Sequence, residues 1–225
     1  MKNSNSTIFI AEAGVNHNGS LKKACKLIDI AAYSGADFVK FQHTNPNLIS
    51  ANAPISKDQS KLQKKKIKQK EFTKSFHLNW KKAYPILIKR SKKKKIKFLT
   101  SVFSSKDYDV VKKLKLKYIK IASGEIVNFP LLDNISRSKD TVFLSTGGSS
   151  INEIKRAIKI LRSKYVNKKI YLLHCVSAYP VPKKEINLNS IPYLSDKTKL
   201  DIGYSDHALG YDHLFTGIGL GAKVI

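Results

Sequence analysis

Lys40 and Lys120 each interrupt a short apolar run, Phe38-Val39-Lys40-Phe41 and Tyr118-Ile119-Lys120-Ile121. An ammonium drawn into such surroundings needs a negative partner or dense hydrogen bonding, because burying an isolated charge is costly. An ion pair with Glu12 or Glu125 would satisfy either lysine alone. Two such lysines together with serine-glycine turns fit a site for a phosphate or carboxylate equally well, since the backbone N–H groups of these turns face anions readily. Ser123-Gly124 and Ser145-Thr146-Gly147-Gly148 are turns of that kind. His17, His174 and His207 stand at or just after apolar runs, and His207 follows Ser205-Asp206, where an imidazole could reach a divalent metal. Spacing alone offers no set of three ligands.

The elements that must position these groups are read from hydropathy. Short apolar, β-branched runs are predicted as strands over Ile8–Ala11, Phe38–Phe41, Ile96–Thr100, Tyr118–Ile121, Val142–Ser145, Ile170–His174, Leu200–Gly203 and Ala222–Ile225. Amphipathic stretches separate them. Leu21, Ala24, Leu27, Ile28 and Ala31 recur at helical spacing in Leu21–Tyr33, as do Ile151, Ile154, Ala157, Ile158 and Leu161 in Ile151–Leu161. Strands alternating with helices imply an α/β protein with a parallel sheet, and eight of them imply a (β/α)₈ TIM barrel whose chemistry lies beyond the strands' C-terminal ends. The chain stops in the eighth strand, so the expectation is one domain over residues 1–225, a barrel incomplete at its C-terminal end.

Polar residues gather where that architecture wants them. Glu12 and Asn16-His17-Asn18-Gly19 follow the first run; Lys40 and Gln42 close the second; Ser101 and Ser104 follow the third. Lys120, Ser123 and Glu125 belong to the fourth, Ser145 to Gly148 to the fifth, His174, Ser177 and Tyr179 to the sixth, and Ser205-Asp206-His207 to the seventh. Such a convergence is expensive to desolvate unless it binds something polar. The longest connection, Gln42 to about Leu62, contains Asn45-Pro46-Asn47 and Ala53-Pro54 and reads as a lid or substrate wall.

Composition narrows the class. The 225 residues carry a formal net charge of +26, a field that attracts nucleic acid, anionic membrane or a phosphorylated substrate. Only Arg90, Arg137, Arg156 and Arg162 are arginines, whereas base reading favours the guanidinium fork, so no nucleic-acid partner is expected. Lysine clusters such as Lys64–Lys66 and Lys92–Lys95 read as solvated faces and helix ends. No run of about eighteen apolar residues could span a bilayer, and Met1–Ser6 lacks the features of a secretory signal, so a cytoplasmic protein without membrane attachment is expected. Cys25 and Cys175 make no disulfide or zinc spacing and read as small core residues.

Taken together, six stretches resemble the N-acetylneuraminate (sialic acid) synthase family, which includes legionaminic and pseudaminic acid synthases. They are Ile10–Gly19, Gly35–Asp37 with Val39–Gln42, Tyr118–Glu125, Ser145–Gly147, Leu173–Ser177 with Tyr179-Pro180, and Ile202–His207. The resemblance implies a (β/α)₈ barrel followed by a small antifreeze-like domain. It also implies condensation of phosphoenolpyruvate with N-acetylmannosamine or a related acylated aminosugar, with release of phosphate. By motif position Lys40, Ser101, Lys120, Ser123, Ser145, Ser177 and Ser205 would hold phosphoenolpyruvate. Glu12, Glu125 and Tyr179 would be sugar or catalytic contacts, with Lys120 counted among the catalytic groups. His207 would be one ligand of a divalent metal, Mn²⁺ or Mg²⁺, which would polarise the sugar aldehyde as a Lewis acid. Dimerisation is implied as well.

Departures from the family pattern carry expectations too. Ser101 holds a position commonly threonine, without the proline that usually follows, and Gly148 stands where methionine is frequent. The family continues past Ile225 into an acid-x-His segment with a second metal-binding histidine, a closing helix and the antifreeze-like domain. The 225-residue chain alone is therefore expected to bind metal poorly and turn over slowly. The alternative reading is a catalytically inactive remnant that only binds phosphoenolpyruvate-like anions.

Overall fold

The computed structural model describes residues 6–43, 45–49 and 68–225. Most of the connection from Gln42 to about Leu62, and Lys64–Lys66, lie outside the described residues. Within that connection Asn45 accepts the Asn47 N–H at 3.0 Å and opens a 3₁₀ turn over Pro46–Leu48.

Strands and helices alternate along the chain: β1 (Ile10–Gly14), α1 (Leu21–Tyr33), β2 (Phe38–Gln42), α2 (Gln69–Phe76), α3 (Trp80–Lys93), β3 (Lys97–Val102), α4 (Ser105–Lys113), β4 (Tyr118–Ile121) and α5 (Phe129–Ser136). There follow β5 (Thr141–Ser145), α6 (Ile151–Leu161), β6 (Ile170–His174), α7 (Ser190–Thr198), β7 (Asp201–Tyr204) and α8 (Asp212–Gly219). Strand order in the sheet is chain order, β1 to β7, which is the topology of a (β/α)₈ barrel. The fold class is thus the expected one, an incomplete (β/α)₈ barrel.

Helix starts are written in the sequence. Ser20 caps α1 by accepting the Lys23 N–H at 3.3 Å, and Ser150 and Glu153 form a reciprocal capping box at the start of α6. Each satisfies backbone donors that a helix start leaves open. The helices bury one stripe: Ala24, Ile28 and Ala31 of α1, and Ile154, Ala157 and Leu161 of α6. Lys92 and Lys93 end α3 in its last turn, as expected of lysines complementing a helix C-terminus.

The chain divides into two compact units, one of Ala11–Phe98 and one of Met1–Ile10 with Leu99–Ile225. In the larger unit the parallel register sets Ser101 beside Lys120, Lys120 beside Phe143, Ser145 beside Leu173 and His174 beside Tyr204. Side chains alternate between sheet faces, so Ser145, Leu173 and Cys175 share one face while His174 and Tyr204 share the other. Phe143 and Tyr171 stack at 5.2 Å on the first face, and His174 and Tyr204 at 5.7 Å on the second.

The expected eighth strand over Ala222–Ile225 is present as a short paired segment. Lys223 N–H donates to Ile202 O and Tyr204 N–H to Val224 O, both at 2.7 Å. On its other side Ile8 and Ile10 donate to Lys223 O and Ile225 O, and Ile8 bridges Val224 in parallel. Gly203 makes this approach possible, since a Cβ there would stand 2.6 Å from both Val224 O and Leu173 Cδ2. Four observed strands end later than hydropathy suggested: β1 extends to Gly14, β2 to Gln42, β3 to Val102 and β7 to Tyr204. Glu12 and Ser101 consequently sit within strands rather than beyond them.

Candidate active site

In the unit Ala11–Phe98, Lys40 lies in β2, 8% exposed, and its ammonium pairs with the half-exposed Glu12 carboxylate of β1. The alternation of β2 points Lys40 away from the faces taken by Val39 and Phe41, which are buried. Gly14 keeps the surroundings of this pair narrow: its φ is +50°, and a Cβ there would lie 3.1 Å from Glu12 Oε1. His17 is buried, and its Nδ1 accepts the Gly19 N–H at 3.1 Å. Burial lowers its pKa, so it holds the loop as a neutral ring. His43 is buried edge-on against Tyr84, and burial, helped by the charge of His77, lowers its pKa to about 4. Gln42, at the end of β2, is exposed.

The unit Leu99–Ile225 holds a denser cluster at the C-terminal ends of β4 to β7. Lys120, 5% exposed, donates to Ser145 Oγ at 2.6 Å and to Ile121 O at 2.9 Å. Ser101 is buried beside it in register. Ser123 opens the 3₁₀ turn Ser123–Glu125; its Oγ accepts the Gly147 N–H at 3.0 Å and stands 3.1 Å from Cys175 Sγ. Above Gly147 the space is fully used. A Cβ there would meet Ser177 Oγ at 2.7 Å, Cys175 Sγ at 2.9 Å and Ser123 Oγ at 3.0 Å. Glu125 is half-buried and its Oε2 accepts from Asn128 Nδ2 at 2.7 Å.

Pairing past the strand ends joins the last groups. Val181 N–H donates to His207 O at 3.0 Å and Val181 bridges Ala208, so the segments after β6 and β7 run together. That pairing sets the exposed Tyr179 ring 4.2 Å from the His207 ring. Ser205 N–H donates to His174 O at 2.8 Å. Asp206 ties the turn down by accepting from Tyr204 Oη at 2.8 Å and Ala208 N–H at 2.9 Å and pairing with His213 Nε2 at 2.9 Å. Burial pushes the Asp206 carboxyl up, but the Ala208 amide, His213 and Tyr204 outweigh it and hold it below its ordinary value.

Within this unit the structure brings together Ser101, Lys120, Ser123, Ser145 and Ser177 around the ends of β3 to β6, and Tyr179 with His207 beside Ser205. Gly147, part of a turn expected to face an anion, lends an N–H and an absent side chain. Cys175, read from sequence as a small core residue, lends a thiol rather than simple bulk. Strand alternation from Ser145 and Leu173 would have found Cys175, but it needs the β5–β6 register. His174, by contrast, faces the other side of the sheet, where its Nε2 donates to Ile186 O at 2.7 Å, so its role is structural. A cavity of about 440 Å³, lined by Thr146, Gly148, His174, Ser177, Asn187 and Ser190 among others, opens next to the cluster.

For a divalent metal the described residues fall short. His207 Nδ1 lies 2.8 Å from Val176 O, so this nitrogen carries the proton and only Nε2 is left as a ligand. Among the described residues no three His, Cys, Asp or Glu side chains converge as a metal site. Also among the described residues, no helix is long and apolar enough to cross a membrane.

A family model described as the NeuB family matches residues 27–225. N,N'-diacetyllegionaminic acid synthase of Campylobacter jejuni is 43% identical over 221 residues, covering 97% of this chain and 66% of that protein. The enzyme of the same name from Legionella pneumophila is 35% identical over 229 residues, covering 100% and 64%. The chain therefore spans just under two thirds of these relatives' lengths. Among solved structures, the N-acetylneuraminic acid synthetase of Leptospira borgpetersenii in complex with citrate is 33% identical with a TM-score of 0.86, covering 98% of this chain and 72% of that one.

Proposed function

The chain belongs to the NeuB family, and from that premise we propose that it carries the phosphoenolpyruvate-binding barrel of a nonulosonate synthase. The reaction joins C3 of phosphoenolpyruvate to the open-chain aldehyde of an acylated mannosamine-type sugar. Water adds at C2, and inorganic phosphate leaves. The observation that carries this reading is the buried Lys120 ammonium donating to Ser145 Oγ among the hydroxyls and N–H that end β4 to β6.

The substrate's carboxylate and phosphate are held, in this reading, by Lys120, Ser101, Ser123, Ser145 and Ser177, with Ser205 beside them. Preformed donors in a site shielded from water stabilise anions more strongly than water does and cost no reorganisation as charge moves. Lys40 joins this set by motif position. Its pairing with Glu12 gives that carboxylate a fixed geometry for proton transfer, a role worth about 10²-fold to 10⁴-fold in typical enzymes. Glu125, held by Asn128, and Tyr179, beside His207, are assigned to the aminosugar. His207 Nε2 would be one ligand of a Mn²⁺ or Mg²⁺ ion, which would supply Lewis-acid polarisation of the aldehyde. The substrates are small and water-soluble, consistent with work in the cytoplasm without membrane or nucleic acid.

Phosphate release by the purified chain, given phosphoenolpyruvate, manganese and either N-acetylmannosamine or its 2,4-diacetamido counterpart, tests the proposal. Lys120→Ala is expected to lower kcat/KM by 10²-fold or more, roughly what loss of one preorganised anion-stabilising group costs. Phosphoenolpyruvate binding without release would favour an anion-binding protein with no synthase activity. Absence of both binding and release would overturn the reading.

A further inference from the structure

We infer that Cys175 is a positioning residue whose thiol sets the hydroxyl of Ser123 to donate to the bound anion; this rests on the anion-site reading above. A serine hydroxyl can accept two hydrogen bonds and donate one. One acceptor place on Ser123 Oγ is taken by the Gly147 N–H at 3.0 Å. Cys175 Sγ, 3.1 Å away, is the other close partner. A thiol S–H donating to Ser123 Oγ fills the second acceptor place, and the serine's own proton is then left for a ligand. If the serine instead donated to sulfur, the anion would meet a lone pair.

Geometry holds the sulfur within reach of that oxygen. Cys175 is 5% exposed, so water has little access to its thiol. Alternation places it on the face of Leu173, two residues earlier, which pairs in register with Ser145. Gly147 completes the arrangement, because any side chain there would push apart Ser123 Oγ, Cys175 Sγ and Ser177 Oγ. The three heteroatoms and one backbone N–H therefore form a single unit, in which the sulfur's part is to orient an oxygen.

The experiment is a double-mutant cycle on Cys175 and Ser123, read by calorimetric binding of phosphoenolpyruvate and by hydrogen exchange of the Gly147 amide in glycine-labelled protein. Cys175→Ala is expected to weaken binding about fivefold, the worth of one net hydrogen bond. It should have no further effect in a Ser123→Ala background. Cys175→Ser, which keeps a donor, should recover most of the loss. Gly147 amide exchange should quicken in Cys175→Ala, because the hydroxyl that accepts this N–H is no longer fixed. An equal loss with or without Ser123 would show that the thiol only fills space, and would overturn the inference. So would unchanged binding in Cys175→Ala. If the native protein binds no phosphoenolpyruvate, the functional reading fails and the exchange measurement decides alone: quickened exchange upholds the orienting role, and unchanged exchange removes it.

Discussion

At the scale of single residues, burial does not by itself mark a functional group. Lys168 is as buried as Lys120, and burial lowers its pKa. Yet it sits just before β6 and donates to backbone carbonyl groups of Ser138 and Asp140 at the strands' N-terminal ends, the side associated with stability in barrels. Lys120 differs by its position at a C-terminal end and by its hydroxyl neighbours. Gly147 makes a sharper test of which atoms matter. The three atoms that a Cβ would strike there are ends of side chains, which can rotate away, so Gly147→Ala should cost little stability. What it displaces is the set of groups assigned to the anion. Phosphoenolpyruvate affinity is expected to fall at least about tenfold, the loss of more than one hydrogen bond, while the melting temperature moves by no more than a few degrees. Gly219→Ala in α8, where a Cβ meets open space, should leave the affinity unchanged. Calorimetry and thermal melts on the two variants check this.

At the scale of elements, the strands were legible because each is a short β-branched or apolar run, and α1 and α6 because their apolar residues recur every three or four positions. Strand ends were less so. Hydropathy stops at Ala11 and Thr100, whereas hydrogen bonding carries β1 to Gly14 and β3 to Val102. Polar residues at a barrel mouth are strand residues that read as loop, which is why Glu12 and Ser101 seemed to follow their strands. The site was legible as a list of strand-end residues and illegible as a geometry: nothing in the sequence reveals that Val181 pairs with Ala208 and so brings Tyr179 to His207. Gly203 shows the same limit, since its need becomes visible only when Val224 lies against it. Here the blocking atom is a backbone oxygen at 2.6 Å, which cannot turn aside. Gly203→Ala should therefore cost about 2–3 kcal/mol, in the range of overpacked cores. That corresponds to a fall of about 5–10 °C in melting temperature for a protein of this size. A thermal melt showing no change would mean that the paired segment Lys223–Ile225 does not hold its place in solution.

At the scale of the whole molecule, two electrostatic terms act on stability, and they can be separated. The first is burial of neutral histidines. His43 has a pKa near 4 when folded against an ordinary 6.5, and His17 and His174 are lowered too, by burial. Between those values the unfolded chain binds protons that the folded chain refuses, so stability is complete above about pH 6.5 and is lost as pH falls toward 4. For His43 alone the loss amounts to about 3 kcal/mol. The second term is self-repulsion from a net charge of +26 at pH 7, which opposes the compact state there and grows as pH falls and histidines are protonated. Salt distinguishes the two, because it screens exposed charges and leaves a buried ring's desolvation almost untouched. Melting temperature at pH 7 should rise as sodium chloride goes from low concentration to about 0.5 M, where the Debye length is well below 10 Å. The fall in melting temperature from pH 7 to pH 5 should persist in that salt and shrink in His43→Phe, whose ring fills the same space against Tyr84 without a titrating nitrogen. If salt abolished the pH dependence in the native chain, repulsion would be its source and the buried histidines would not.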